Sequence, residues 1–172
     1  MLIDSLIISL SREPFNPKLN FQVASEYEKL RQTASAVSFY LRTAEYGYES
    51  DQDLVYLSLL RLAACFNDQN DRLATVSNAL LQAVAYQPHK AEAYFLLSEF
   101  YERQNNWQEC YTFAAIGLNL APGDYRLQFE KAVSGWWIGR AAESKQIFNS
   151  LLKRKDLEPQ YRKAIESNLA SI

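Results

Sequence analysis

Two prolines, Pro88 and Pro122, stand 34 residues apart, and the eighteen residues ending at each align without a gap: DRLATVSNALLQAVAYQP against NNWQECYTFAAIGLNLAP. The match is of kind rather than identity, with Leu73 opposite Trp107, Val76 opposite Cys110, Leu80 opposite Ala114 and Ala83 opposite Gly117. Each segment spaces its apolar residues along one face of a helix and stops at the proline, which a helix interior does not tolerate. A period of this length holds two helices and two turns, and one such pair cannot bury its apolar face alone. Repetition therefore forces a stack in which each pair is covered by its neighbours.

The stretch KAEAYFLLSEFYERQNNWQECYTFAAIGLNLAP, residues 90–122, carries the unit most fully. Tyr94, Leu97, Ser98 and Tyr101 mark the inner stripe of a first helix. Trp107, Cys110, Tyr111, Phe113, Ala114 and Leu118 build a second, closed by Ala121 and Pro122. An aromatic, a Leu-small pair and a Tyr on the first helix, then a small residue, an aromatic and Pro on the second, resemble a tetratricopeptide repeat. Cys110 takes the small slot of the second helix, and Ala114 stands where the family usually has Phe. The resemblance implies an all-α fold: a right-handed α-solenoid of tetratricopeptide-like helix pairs with a C-terminal capping helix, read as a single domain over residues 1–172.

The rest of the chain fits that frame. In MLIDSLIISL, Ile3, Leu6, Ile7 and Leu10 recur at helical spacing, while Asp4 and the lack of an early Lys or Arg argue against a secretory signal. Pro14 and Pro17 separate this helix from one over about 18–30, facing inward through Phe21, Val23, Ala24 and Tyr27. A third helix, over about 33–46, is expected to face inward through Ala34, Val37, Leu41 and Ala44, with Ala36 in the small slot and Gly47 as a positive-φ C-cap. The connector YGYESDQD leads to LVYLSLLRLAACF, apolar around most of its circumference and so expected to be covered on both sides. After Pro122, a further pair runs from Asp124 to Ile138 and from Arg140 to Arg154, turning at Gly139, with Phe148 in the aromatic slot and Leu151 and Leu152 inward. From Glu158 to Ser171, Tyr161, Ile165 and Leu169 give one apolar face, as a capping helix needs.

A second resemblance covers residues 16–170. The segments LVYLSLLRLAACF, ALLQAVAYQPHKAEAYFLLSEFYERQNNWQECYTFAAIGL, WWIGRAAESKQIFNSLL and EPQYRKAIESNLA look like the tetratricopeptide-like helical region C-terminal to the catalytic domain of some family 2 glycosyltransferases. It implies an accessory or docking role beside a glycosyltransferase in glycan synthesis, not catalysis.

Composition and motifs narrow the function classes. Formal net charge is −2, and no Lys or Arg run forms a stripe to neutralise a phosphate backbone, so nucleic acid is not expected as a partner. No segment is apolar over a bilayer's thickness, so no membrane partner is expected and a cytoplasmic location is. Cys65 and Cys110, the two cysteines, lie inside apolar helical segments and read as packing residues of a reducing compartment. Asp51-Gln52-Asp53 has the Asp-x-Asp form that holds a metal and a sugar diphosphate, but without an α/β domain around it Ser50, Asp51 and Asp53 read as helix-capping residues. His89 is the one histidine and follows Pro88 at a helix start, with no second ligand at metal spacing. There is no Gly-rich phosphate loop and no nucleophile elbow. No cofactor, metal or enzymatic activity is expected.

Binding is what remains. Trp107 is expected to pack against the preceding helix; of the adjacent Trp136 and Trp137, about 100° apart on a helix, Trp137 is expected to pack before Gly139 and Trp136 to reach the inner side. Phe21, Arg61, Phe95, Glu99, Glu102, Arg103, Phe129 and Trp136 fall on first helices at offsets that line the inner groove of tetratricopeptide folds. Aromatics mixed with Glu and Arg suit a peptide-binding surface. The function expected is a non-catalytic scaffold holding a protein or peptide partner along a concave groove.

Overall fold

The computed structural model describes residues 2–68 and 72–170; the ends expected at Met1, Asp71 and Ser171 lie outside the described residues. Among these residues run ten helices and no strand: α1 (Leu2–Arg12), α2 (Pro17–Lys29), α3 (Thr33–Gly47), α4 (Gln52–Asn67), α5 (Leu73–Tyr86), α6 (Ala91–Arg103), α7 (Trp107–Leu120), α8 (Tyr125–Trp137), α9 (Ala141–Leu152) and α10 (Pro159–Ala170). They gather into two compact units, Met1–Pro88 and His89–Ile172. In the first, α2 packs on α3, α3 on α4 and α4 on α5, and the first helices α2 and α4 also touch. The second repeats the order with α6, α7, α8 and α9, again with the first helices α6 and α8 in contact, and α10 closes on α9.

Three turns, between α2 and α3, α6 and α7, and α8 and α9, are built alike. Arg31, Asn105 and Gly139 each have positive φ, at 57°, 55° and 84°. In each case the following N–H donates to a carbonyl five residues back: Gln32 to Tyr27 (2.9 Å), Asn106 to Tyr101 (2.9 Å) and Arg140 to Gly135 (2.8 Å). This is the 6→1 bond of a Schellman motif, which satisfies a carbonyl the helix end would otherwise leave open. The starts are capped more variously. Asn16 accepts from the N–H groups of Lys18 and Leu19, Asp51 from Leu54 at 3.1 Å, and Asp124 from Arg126 at 2.9 Å. Asp51 therefore caps α4, and Asp53 takes the side-chain amide of Gln87 at 3.1 Å.

Small residues let the helices approach. A Cβ on Gly117 would lie 2.9 Å from both methyls of Leu127 and 3.1 Å from Cβ of Tyr94; on Gly135 it would lie 2.9 Å from Oγ of Ser144. Gly47 belongs to the same class, and here the expected positive-φ C-cap is corrected. It is the last helical residue of α3, and its missing side chain admits Val55 at 3.2 Å and Pro17 at 3.4 Å. Buried hydroxyls at such crossings bond their own helix, as Ser58 does to the Leu54 carbonyl (2.8 Å) and Ser134 to that of Glu130 (2.6 Å).

The inner face of α3 also differs from expectation. Ala36, Tyr40, Thr43 and Gly47 are buried, whereas Ala34 is exposed and Leu41 is 53% exposed. Hydropathy favours Leu41 over Thr43. Packing reverses the order because the Thr43 hydroxyl is satisfied by the Phe39 carbonyl at 2.9 Å and the Tyr40 phenol by Glu28 at 2.6 Å. In the second unit the outer core is Ala132, Phe148, Leu151, Leu157 and Ile165, so α10 covers the apolar side of the last pair through Ile165 while Tyr161 and Leu169 flank it.

Candidate functional site

Tetratricopeptide-like pairs place their first helices side by side, so the candidate residues are taken unit by unit. On α2, Phe21 packs edge-on against Tyr40, with ring centroids 5.4 Å apart, and its outer side borders a cleft of about 280 Å³ lined by Leu6, Gln22, Ser25, Glu26 and Lys29. On α4, Arg61 donates through Nε to Oε2 of Glu28 at 3.0 Å and through Nη2 to Oε1, while the Tyr40 hydroxyl donates to the same carboxylate. Burial and then the Glu28 carboxylate push the Tyr40 phenol pKa upward. Arg61 is thus held within its own unit.

In the second unit, Phe95 is only 6% exposed and lies beneath the Arg126 guanidinium, 4.3 Å from the ring centroid. Arg126 in turn binds Asp124 at 2.8 Å and Glu92 at 2.9 Å. The ring therefore serves as a floor for a cation of the same unit. Phe129 is half-buried, edge-on to Tyr161 at 5.1 Å and tilted against Phe148 at 6.1 Å, so it ties α10 to α8. Glu99 and Arg103 pair across one helical turn at 3.5 Å. Glu102 and Trp136 are partly exposed, and among the described residues neither has an ion pair or ring partner.

Trp137 packs on a neighbouring ring as expected, yet it is the more exposed of the two adjacent tryptophans. Trp137 is 61% exposed and stacks on Trp107 at 5.3 Å, with the planes 15° apart, whereas Trp136 is half-buried. Trp107 finds its ring partner in the next pair. Trp137 is the last residue of α8, two residues before the turn glycine Gly139.

Sequence reasoning missed Glu130. It falls on α8 between Leu127 and Ser134, at the spacing of a buried stripe, and is only 4% exposed. A charged residue at a core position of the helical period was the available signal. The Cys110 Sγ lies 3.7 Å from its Oε2 and 3.8 Å from its backbone carbonyl. Burial, then the nearby carboxylates of Glu102 and Glu99, push the Glu130 pKa up to about 8. Burial also raises the carboxyl of Glu99, and raises the phenol of Tyr161 to about 12 together with Glu99 and Glu130. Glu99 and Glu102 of α6, Glu130 of α8 and Tyr161 of α10 thus share one electrostatic neighbourhood.

Solved structures match this arrangement closely in backbone and distantly in sequence. A crystal structure of MamA superposes with a TM-score of 0.71 at 16% identity, covering 99% of this chain and 90% of that one. YrrB, described as a TPR protein with an unusual peptide-binding site, gives 0.71 at 13% identity over 96% and 81%. TTC0263, a thermophilic TPR protein from Thermus thermophilus, gives 0.64 at 16% over 98% and 89%. The fold is that of tetratricopeptide proteins. No protein-family model and no curated protein matches the chain, so the glycosyltransferase resemblance rests on its packing motifs alone.

Among the described residues no three His, Cys, Asp or Glu side chains gather as metal ligands, and no helix is long and apolar enough to cross a membrane. His89 is exposed beside Pro88. Burial raises the thiol pKa of both cysteines, Cys65 to about 11, which leaves them protonated near neutral pH.

Proposed function

We propose that this chain is a non-catalytic protein-interaction scaffold whose first-helix face receives an extended peptide or a helix of a partner. The observation that carries the reading is the face of α6 and α8. There Glu102 and Trp136 stay partly exposed without an ion pair or ring partner among the described residues, while Phe95 is taken up by Arg126 and Phe129 by Tyr161. An aromatic and a carboxylate on rigid helices lose little entropy on docking, which favours recognition of a single segment. Glu99 and Arg103 border the same face, and Phe21 with Arg61 occupies the equivalent first helices of the other unit. The likeness to tetratricopeptide structures, one described by its peptide-binding site, supports the same reading.

The test is affinity capture with the tagged chain and with a Glu102→Ala, Trp136→Ala double variant, followed by direct binding of each recovered protein to both. Loss of at least tenfold in affinity with unchanged far-UV circular dichroism is the expected result. Equal binding of every partner by both would remove this face as the site. Recovery of a glycosyltransferase among them would favour the accessory role in glycan synthesis.

A further inference from the structure

The cations near the α6–α8 face are engaged, whereas two of its carboxyls, Glu102 and Glu130, have no ion pair among the described residues. Arg126 is spent on Glu92, Asp124 and the ring of Phe95, and Arg103 on Glu99. Of the two carboxyls, Glu130 is the unusual one. Its side chain is buried, yet the donor it meets is the Cys110 thiol at 3.7 Å, a weak partner for a carboxyl at that depth. A buried carboxylate ordinarily has a cation or several N–H groups upon it. The groups facing it are Glu99, Glu102 and Arg103 from α6, Cys110 from α7, Ser134 on its own helix, and Tyr161 from α10. The cations of this neighbourhood are Arg103, paired with Glu99, and Arg126, one turn before Glu130 on α8 and paired with Glu92 and Asp124.

Resting on the scaffold reading, we propose that the partner segment carries a Lys or Arg side chain that seats at Glu102 above Glu130, and that Glu130 gives up its proton when the cation arrives. Charge complementarity selects the occupant: a cation lowers the field of Glu99 and Glu102 at Glu130, whereas an acidic or neutral side chain would leave the carboxyls repelling one another. The exchange balances as one proton released to solvent from the Glu130 carboxyl for one positive charge bound. Because a group that is protonated when free and ionised when bound links affinity to pH, binding weakens as pH falls.

The probe is a random dodecapeptide library displayed on phage and selected against the full chain, followed by fluorescein-labelled synthetic peptides read by anisotropy. Enriched peptides should share a Lys or Arg at one position. Glu102→Gln should weaken them at least tenfold, and Glu166→Gln, which removes an exposed charge on α10, should leave affinity unchanged. With burial holding Glu130 at about 8 in the free protein, wild-type affinity should fall as pH drops below that value, by up to about tenfold per unit until the bound carboxyl itself takes up the proton, while Glu130→Gln should show no such fall. Calorimetry in two buffers of different ionisation enthalpy should count close to one proton released by wild type at pH 7 and none by Glu130→Gln. Enriched peptides that lose affinity with Trp136→Ala but show no basic bias would overturn this inference and leave the scaffold reading standing. An absence of enriched peptides, or affinities indifferent to both Glu102→Gln and Trp136→Ala, would overturn both. A basic peptide whose binding is flat with pH, or equally pH-dependent in Glu130→Gln, would overturn the proton exchange.

Discussion

Glu130→Gln is expected to stabilise the second unit at neutral and alkaline pH, and the structure sets the size of the effect. The carboxyl is 4% exposed, lacks a counter-ion and faces Glu102 and Glu99, so its pKa rises from the usual 4.5 to about 8. The folded chain therefore holds this proton more tightly than the unfolded chain. Stability from this group is complete below pH 4.5, falls as pH rises from there to 8, and is level above. At about 1.4 kcal/mol per pH unit the cost to wild type is roughly 1 kcal/mol at pH 5, roughly 3 at pH 7 and roughly 5 at pH 9. Glutamine cannot ionise and escapes that cost, so the variant's advantage should grow in the same order. Urea denaturation followed by tryptophan fluorescence is the assay of choice, because all three tryptophans, Trp107, Trp136 and Trp137, lie in the unit that holds Glu130. The m-value should not change between the two proteins, since they expose the same surface. A stability difference constant from pH 5 to pH 9, or a variant less stable than wild type at pH 9, would refute the account of Glu130 as an uncompensated buried acid.

Two further substitutions test how the helices are fitted together. Gly117→Ala should destabilise by roughly 1–3 kcal/mol, because its Cβ would overlap Leu127 and Tyr94; Gly123→Ala, with nothing within 4 Å, should change stability by less than about 0.5 kcal/mol. Equal effects in denaturant titration would mean that the α7–α8 approach is looser than described. Asp51→Ala should cost the first unit about 1 kcal/mol through the lost cap on Leu54, whereas Asp51→Asn should retain most of it, read as a shift in the urea midpoint by circular dichroism.

Much of the fold was legible in the sequence, because helix-forming period and proline stops are local properties. The two aligned segments ending at Pro88 and Pro122 appear as α5 and α7, and Pro159 with Tyr161, Ile165 and Leu169 appears as the covering helix α10. Cys110 is the buried small residue that its slot required. Gly139 is the positive-φ turn residue that its position required.

The site was much less legible, because its character depends on neighbours about thirty residues away. Phe95 reads from the sequence as an aromatic offered to a partner, yet the guanidinium of Arg126 covers it, held there by Glu92 and Asp124. Arg61 reads as an available cation, yet Glu28 holds it. Glu130 gives no sign of its environment beyond falling on a buried stripe, and only the arrival of α6 and α7 beside α8 removes its water and sets Glu99 and Glu102 around it. The order of apolar residues along the chain determined which segments are helices and that they must stack. Which charges are buried, which are paired and which remain for a partner was decided by the packing of successive pairs, since desolvation and Coulomb interaction depend on distance in space rather than in sequence.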